Sequence, residues 1–210
     1  MTEYTIEGEH IKTIDDIVIP QNVVKLTIKN TCIHKLLLPY LPKLTYLEIT
    51  RNHNLTSVDL TNNIGLEILD ISYNNLTSVN LTNNTKLVTL YLSGNKLTSV
   101  DLTNNVALVN LNLSCNKLTS IDLNNNTTLV ALNLSDNNLT SIDLTNNTTI
   151  EKLYISRNKL YNPSRLSPII NLQELYTRKT NVKSISTYLY CSYKLTILCS
   201  DIWKINNYIV

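Results

Sequence analysis

Leucines recur in this chain with a period of two inside short segments, and the segments themselves recur every 21 residues. Each segment follows the pattern L-x-[LI]-S-x-N-x-L, as in "LYLSGNKL" and "LNLSCNKL". Alternating apolar and polar positions are typical of a strand that is buried on one face. Because the same strand returns at a constant interval, the pattern predicts stacked coils whose strands pair as a parallel sheet. The regular copies begin at Leu69, Leu90, Leu111, Leu132 and Leu153.

Weaker copies extend the repeat over almost the whole chain. They begin at Tyr4, Leu26, Leu47, Leu175 and Leu198. Terminal coils diverge because they must seal an otherwise exposed core. We therefore predict a single domain over residues 1–210. It comprises degenerate N-terminal coils and a cap (1–43), regular repeats (44–160), and degenerate C-terminal coils and a cap (161–210).

The residues between successive strands form a return segment such as "LTSVDLTNN". Its Val79 and Leu81 alternate again, and the segment is rich in Asn and β-branched residues and too short for a long helix. It therefore predicts an extended or 3₁₀ convex side. The copy at Leu47 is one residue longer, which predicts a local bulge, and the prolines in "YNPSRLSPII" predict a short helical or 3₁₀ turn.

One asparagine per coil follows the strand, where the chain turns and exposes backbone groups that sheet pairing does not satisfy. An asparagine side chain offers donors and an acceptor to such groups, so a stacked column can bond the coils above and below. We interpret the column as a structural ladder. We expect Asn116→Leu to cost about 1 to 3 kcal/mol and Asn112→Ala, on the other face, to cost little. The ladder consists of Asn52, Asn74, Asn95, Asn116, Asn137 and Asn158.

The motif "LxxLxLSxNxLTSVDLTNNT" resembles a leucine-rich repeat, and its 21-residue length and "LTS[VI]DL" return are similar to the short internalin-like subclass. The resemblance implies an α/β-type, β-dominated repeat fold. This is a right-handed solenoid with a parallel concave sheet and a mostly extended or 3₁₀ convex side. It also implies a binding scaffold rather than any one activity, because the family has many unrelated partners.

In such a solenoid the strand positions that point away from the core form the concave face. These positions vary from coil to coil and hold large tyrosines and arginines, which are common in protein interfaces. The same residue types are also suited to an exposed sheet face, where their stems cover the neighbouring strand. The candidate partner-binding residues are Arg51, Tyr73, Tyr91, Tyr154, Arg157, Tyr176 and Lys179.

Charge and composition limit the other classes of function. With 18 basic and 16 acidic residues the net charge is +2, which argues against nucleic acid and membrane partners. The N-terminus is acidic and has no long apolar run, so we expect an intracellular, cytoplasmic protein. Frequent Asn, Ile, Lys and Tyr suggest an AT-rich genome, such as that of a large DNA virus or an intracellular microbe. For a viral protein the location would be host cytoplasm. The four cysteines are irregularly spaced, which predicts free thiols.

The sequence predicts no enzyme, no cofactor and no metal site. Cys115 lies about three coils, or roughly 14 Å, from His53, which is too far for a Cys–His pair. The predicted function is a scaffold that binds an unidentified protein on its concave face. Two alternatives stay open: a self-associating structural protein, including a homodimer through a terminal cap, and an adhesin exported without a recognisable signal. Apolar C-terminal residues such as Trp203 and Ile209 would supply that cap.

Overall fold

The computed structural model describes residues 2–160, 171–177, 180 and 196–198. Ten strands form one parallel sheet in the order β1-β2-β4-β6-β7-β8-β9-β10-β11-β12, and β3 pairs with β5 in a second, two-stranded sheet. No helix occurs in these described ranges. The strands are β1 (Glu3–Glu7), β2 (Lys25–Lys29), β3 (Lys35–Leu37), β4 (Tyr46–Thr50), β5 (Ser57–Asp59), β6 (Ile68–Asp70), β7 (Thr89–Tyr91), β8 (Asn110–Asn112), β9 (Ala131–Asn133), β10 (Lys152–Tyr154), β11 (Glu174–Tyr176) and β12 (Thr196–Leu198).

The register of the sheet places each repeated leucine beside its copy in the next coil. Leu69 pairs with Leu90, Leu90 with Leu111, and so on along the sheet. These leucines and those of the return segments are buried in one continuous core that runs the length of the described coils. Each such side chain contributes about 1.5 to 3 kcal/mol on burial, so the leucine columns dominate the stability of the stack. The predicted β-dominated solenoid with a parallel sheet is confirmed.

In the described residues the return segments run through tight turns and, apart from β3 and β5, form neither strand nor helix. In one regular coil the amide of Asn84 donates to Leu81 O at 3.0 Å, and the amide of Leu87 donates to Asn84 O at 3.3 Å. These i→i+3 bonds are of the 3₁₀ type, but each closes a single turn and does not propagate. The extra residue of the longer coil lies in an additional exposed turn at His53 and Asn54, closed by the Leu55 amide on Asn52 O at 2.8 Å. The turn predicted for 161–170 and the C-terminal cap lie outside the described residues.

The predicted asparagines form a buried column at the strand ends, which we call the strand-end ladder. The Asn116 amide shows the pattern: Nδ2 donates to Leu92 O at 2.9 Å and to Leu113 O at 3.1 Å. Its Oδ1 accepts the Leu97 N–H at 3.0 Å. Each ladder amide therefore satisfies both a carbonyl and an amide of the preceding coil.

A second buried asparagine column lies on the return side and was not predicted; we call it the return-side ladder. Asn105 donates through Nδ2 to Leu81 O at 3.1 Å and to Asn84 O at 2.9 Å. The signal in the sequence is the second Asn of the "NN" doublet in each return segment, since the first Asn of that doublet is exposed. The members are Asn63, Asn84, Asn105, Asn126 and Asn147, each about as buried as the core leucines.

Candidate interaction site on the concave face

The concave face presents the strand residues that lie between buried leucines. Tyr91, for example, stands between Leu90 and Leu92, which have no exposed surface, and is itself 37% exposed. Because neighbouring strands are about 4.8 Å apart, residues at one position of successive coils form a row across the face. The identity of these residues is therefore free of the packing that dictates the leucine columns.

The residue just before each strand-end asparagine, and Asn30 at the equivalent place before Thr31, adopts a left-handed backbone conformation, with φ between 53° and 66°. This conformation costs a residue with a Cβ roughly 1 to 2 kcal/mol, and glycine adopts it freely. The sequence showed that these positions vary from coil to coil. It indicated their left-handed conformation only weakly, through the presence of Gly, Asn and Asp among them. We call these residues the left-handed column; they are Asn30, Arg51, Tyr73, Gly94, Cys115, Asp136 and Arg157.

Gly94 and Tyr73 are adjacent in this column and fit each other. A Cβ on Gly94 would lie 2.8 Å from Cδ1 of Tyr73, so the tyrosine ring occupies the space that a side chain at 94 would need. The Tyr73 ring is nevertheless 56% exposed. The glycine thus lets a large aromatic side chain lie along the face while its outer surface stays accessible.

Three of the predicted binding residues come together in one groove of about 480 Å³. Arg51 and Tyr73 reach it from the left-handed column, and Tyr91 from the strand of the next coil. The candidate binding residues did not include the polar residues that complete the groove. The lining consists of Lys29, Asn30, Glu48, Thr50, Arg51, Asp70, Ser72, Tyr73, Tyr91, Ser93 and Asn112.

The other predicted residues form a separate group towards the C-terminal end, where they contact each other or their neighbours. The rings of Tyr154 and Tyr176 stack with centroids 4.3 Å apart. The Tyr154 hydroxyl donates to Glu174 at 3.0 Å, and partial burial together with that carboxylate raises the pKa of Tyr154 to about 12. Arg157 forms an ion pair with Asp136 at 3.1 Å. Lys179 lies outside the described residues.

Asp70 is a partly buried carboxyl of the groove. Burial raises its pKa, and the charge of Glu48 on the neighbouring strand adds to this, although hydrogen bonds from Ser72 act in the opposite direction. Its Oδ1 accepts the Ser72 N–H at 2.9 Å. Glu48 accepts a hydrogen bond from the Thr50 hydroxyl at 3.1 Å. The groove therefore holds two neighbouring carboxyl groups, one of which is partly desolvated.

Asn112 makes a bond that the sequence did not suggest. Its Oδ1 accepts the Ser114 N–H at 3.0 Å and the Ser114 hydroxyl at 2.7 Å, and Asn133 accepts the Ser135 N–H in the same way. These are local bonds within one turn, of the kind that Asn and Asp commonly form. We therefore expect Asn112→Ala to cost more stability than its outward-facing position alone suggested.

The described residues give evidence for neither a metal-binding cluster nor a reactive cysteine. In that part of the chain, no group of three or more His, Cys, Asp or Glu side chains is placed to hold a metal ion. Cys32 and Cys115 are free thiols, and partial burial followed by the charge of Asp136 raises the pKa of Cys115. A thiol with a raised pKa stays protonated at neutral pH and is a poor nucleophile. Nor does any helix in the described ranges have the length and apolar character needed to cross a bilayer.

Comparisons with known proteins agree with this architecture. A family model described as a leucine-rich repeat matches residues 83–103 and 125–145. A search of the curated proteins finds no match.

Among solved structures, the functional domain of InlJ from Listeria monocytogenes aligns over 76% of this chain and 44% of its own, with a TM-score of 0.59 and 23% identity. The internalin InlF from the same organism aligns over 88% of this chain and 69% of its own, with a TM-score of 0.58 and 19% identity. A structure described as a TLR13–ssRNA13 complex aligns over 75% of this chain and 29% of its own, with a TM-score of 0.59 and 19% identity. The chain thus spans less than half of the InlJ structure.

At these identities the structural likeness shows the fold, and the family model supplies the repeat. Leucine-rich repeat proteins commonly mediate protein–protein interactions, and internalin-like members are typically non-enzymatic. The matched repeats show that the chain contains leucine-rich repeats, and the solved structures show that it has the solenoid fold, similar to that of the internalins InlJ and InlF.

Proposed function

We propose that the chain is a non-enzymatic scaffold that captures a protein partner on the concave face of its sheet. The observation that carries the proposal is the convergence of Arg51, Tyr73 and Tyr91 in one groove. All three were selected from their position in the repeat, and the groove brings them together from successive coils.

The chemistry of these side chains suits protein recognition. Tyrosine buries a large area on contact at a low entropic cost and offers a hydroxyl, and arginine donates several hydrogen bonds in a fixed plane. Arg51 and Tyr73 also occupy backbone positions that glycine would adopt without strain. A side chain kept at such a position despite its cost is consistent with a role in contact.

The second group, around Tyr154 and Arg157, supports the proposal less directly. Tyr154 stacks on Tyr176, and Arg157 is already ion-paired with Asp136. A partner would have to replace those contacts or cover them from above. We therefore centre the proposed site on Arg51, Tyr73 and Tyr91, with the C-terminal group at its margin.

A nucleic acid is a weaker candidate than a protein, although one structural neighbour is described as a complex with ssRNA. Nucleic acid binding requires several cationic side chains to neutralise phosphates. The groove instead contains Glu48 and Asp70, and Lys29 is paired with Glu7 at 3.4 Å. The proposal accordingly excludes nucleic acid and membrane partners and requires no cofactor. It places the protein inside the cell.

The test is site-specific photo-crosslinking in cells. A photoreactive amino acid replaces Tyr91 on the concave face or, as the matched control, Thr98, which is exposed on the return segment of the same coil. We expect a discrete crosslinked protein from position 91 and none from position 98. Crosslinks from position 98 alone would show that the binding face is wrong.

Affinity then decides which residues matter. With the crosslinked protein purified, Tyr73→Ala and Tyr91→Ala together should weaken binding more than tenfold, which corresponds to about 1.4 kcal/mol or more. Tyr154→Ala with Arg157→Ala should have a smaller effect. A larger effect of the second pair would move the centre of the site to the C-terminal coils.

Self-association is a second candidate function, because one apolar patch is exposed on the N-terminal coils. Val18 is 86% exposed, Leu37 66% and Tyr40 59%. Leu37 and Tyr40 border a depression of about 380 Å³ whose other lining includes Ile17 and Ile19. Such patches often mark interfaces.

Light scattering with size exclusion should show a dimer that Val18→Ser with Tyr40→Ser converts to a monomer; a monomeric wild type would contradict this candidate.

A further inference from the structure

Charged side chains on the sheet and on the left-handed column are mostly neutralised by a neighbour one coil away. Lys25 pairs with Glu3 at 3.5 Å and Lys152 with Glu174 at 3.0 Å. Two further pairs, Lys29 with Glu7 and Arg157 with Asp136, follow the same rule at 3.4 Å and 3.1 Å. Opposite charges on neighbouring strands stabilise a sheet, so charged residues that lack such a partner are informative.

Within the described residues of the ten-stranded sheet and the left-handed column, the exceptions are Glu48, Asp70 and Arg51. None of them has an ion pair in this part of the chain, and all three line the same groove. Glu48 and Asp70 occupy directly paired positions on β4 and β6, which places two like charges on adjacent strands about 4.8 Å apart. Like charges at such positions are mutually destabilising.

The repeat itself offers a neutral alternative at position 70. Asn112 and Asn133 occupy the same place on their strands and accept the same bond from the serine two residues on. Asp70 accepts that bond from Ser72 but keeps a partly buried negative charge beside Glu48. An amide would fit the fold at least as well, so the carboxylate is not explained by folding.

Deepening the proposed function, on which this inference rests, we infer that the groove docks an extended protein segment of mixed charge. A lysine or arginine side chain of the segment contacts Glu48 and Asp70, and an acidic side chain contacts Arg51. Tyr73 and Tyr91 provide the exposed aromatic walls between which the basic side chain lies. Such charge pairs set specificity. A neutral segment, or one with its charges in the opposite order, would leave Glu48, Asp70 and Arg51 desolvated without a partner.

The experiment uses a phage-displayed library of random peptides, selected on the full chain. Peptides that bind should share one basic and one acidic residue. A synthesised binder is then tested by calorimetry against wild type and against Glu48→Gln with Asp70→Asn, and its basic residue is replaced by glutamine. The change in the protein and the change in the peptide should each weaken binding more than tenfold. Combining them should cause little further loss, because the two changes remove the same interaction.

A second cycle between Arg51→Gln and the peptide's acidic residue should show the same non-additivity. The matched control is Asn133→Asp, which adds a carboxylate at the equivalent position one coil beyond the groove lining and three coils from Asp70, and which should leave affinity unchanged. Thermal melts of each variant establish that the fold is retained.

The outcomes separate the inference from the proposed function. Additive losses in the cycles, or binders that lack a basic residue, would overturn the inference. If such binders are lost with Tyr91→Ala, the concave face still binds protein and only the charge assignment fails. Failure to select any binder would also overturn the inference, while the crosslinking experiment would decide the proposed function on its own.

Discussion

The two asparagine ladders use the same side chain in different ways. In the strand-end ladder both ends of the amide bond the backbone: Asn116 donates to Leu92 O and accepts the Leu97 N–H. In the return-side ladder Asn105 donates to two carbonyls. There, Oδ1 has no hydrogen-bond partner in Asn63, Asn84 and Asn147.

The difference predicts different energetic roles. Removing a strand-end amide leaves both a buried N–H and buried carbonyls without partners, whereas removing a return-side amide leaves carbonyls alone. Buried N–H groups without a partner are rarer in proteins than under-satisfied carbonyls. The strand-end ladder should therefore contribute more per residue, although its members, up to 8% exposed, are slightly less buried than those of the return-side ladder, at 1% or less.

The largest effect is expected for Asn116→Leu. The leucine removes the acceptor for the Leu97 N–H and the donor to Leu92 O and Leu113 O, so the free energy of unfolding should fall by about 2 to 3 kcal/mol. Urea denaturation followed by circular dichroism measures this. Lys117→Ala, at the exposed neighbouring position, is the control and should change stability by less than about 0.5 kcal/mol.

The equivalent change in the other ladder, Asn105→Leu, should cost less, about 1 to 2 kcal/mol, because only the carbonyls of Leu81 and Asn84 lose a donor. The same denaturation experiment gives a direct comparison of the two variants. An equal or greater loss for Asn105→Leu would show that the unpartnered oxygens do not weaken the return-side ladder.

The ladders also show what the sequence can predict. Asn116 follows a clear strand pattern, so its place at the strand end and its bonding role could be inferred from position alone. Asn105 sits in an "NN" doublet beside the exposed Asn104, and composition does not tell which of the two points inward. The choice depends on the turn that the Leu102 carbonyl and the Asn105 N–H close at 3.0 Å.

The candidate site was predictable to a similar extent. The repeat showed which positions face outward, and that was sufficient to select Arg51, Tyr73 and Tyr91. It did not show which tyrosines would be free, because that depends on contacts between neighbouring coils. Tyr73 lies beside Gly94 and stays accessible, whereas Tyr154 is stacked on Tyr176.

A change beside the strand-end ladder tests how far its backbone geometry constrains the surface. Gly94 directly precedes Asn95, and Gly94→Ala places a Cβ 2.8 Å from the Tyr73 ring at a φ of +66°. We expect a loss of about 1 kcal/mol, from the left-handed conformation and from displacement of the ring. In the Tyr73→Ala background the loss should shrink but persist, since the backbone strain remains; complete recovery would assign the whole cost to the ring.

Side chains that bond only their own turn should contribute less than either ladder. Asn112→Ala removes the acceptor for the Ser114 N–H and hydroxyl, but these bonds are only partly buried, so we expect a loss of about 0.5 to 1 kcal/mol. Asn112→Asp keeps the acceptor and is the matched control. A loss as large as that of Asn105→Leu would contradict the ranking of bonds between coils above bonds within a turn.

The smallest effect, and the only gain, is expected for Asp70→Asn. Asparagine keeps the acceptor for the Ser72 N–H, as Asn112 does for Ser114, and removes a charge that burial and Glu48 disfavour. Folding raises the pKa of Asp70 above its usual 3.8, so the charged carboxylate destabilises the folded state at neutral pH. This cost disappears as the pH falls, because the carboxyl is then protonated in both the folded and the unfolded protein. The variant should be more stable than wild type by up to about 0.5 kcal/mol at pH 7, with the difference vanishing near pH 3. A variant less stable than wild type at pH 7 would show that the Asp70 carboxylate supports the fold, and the charge that we assign to partner recognition would then have a structural explanation.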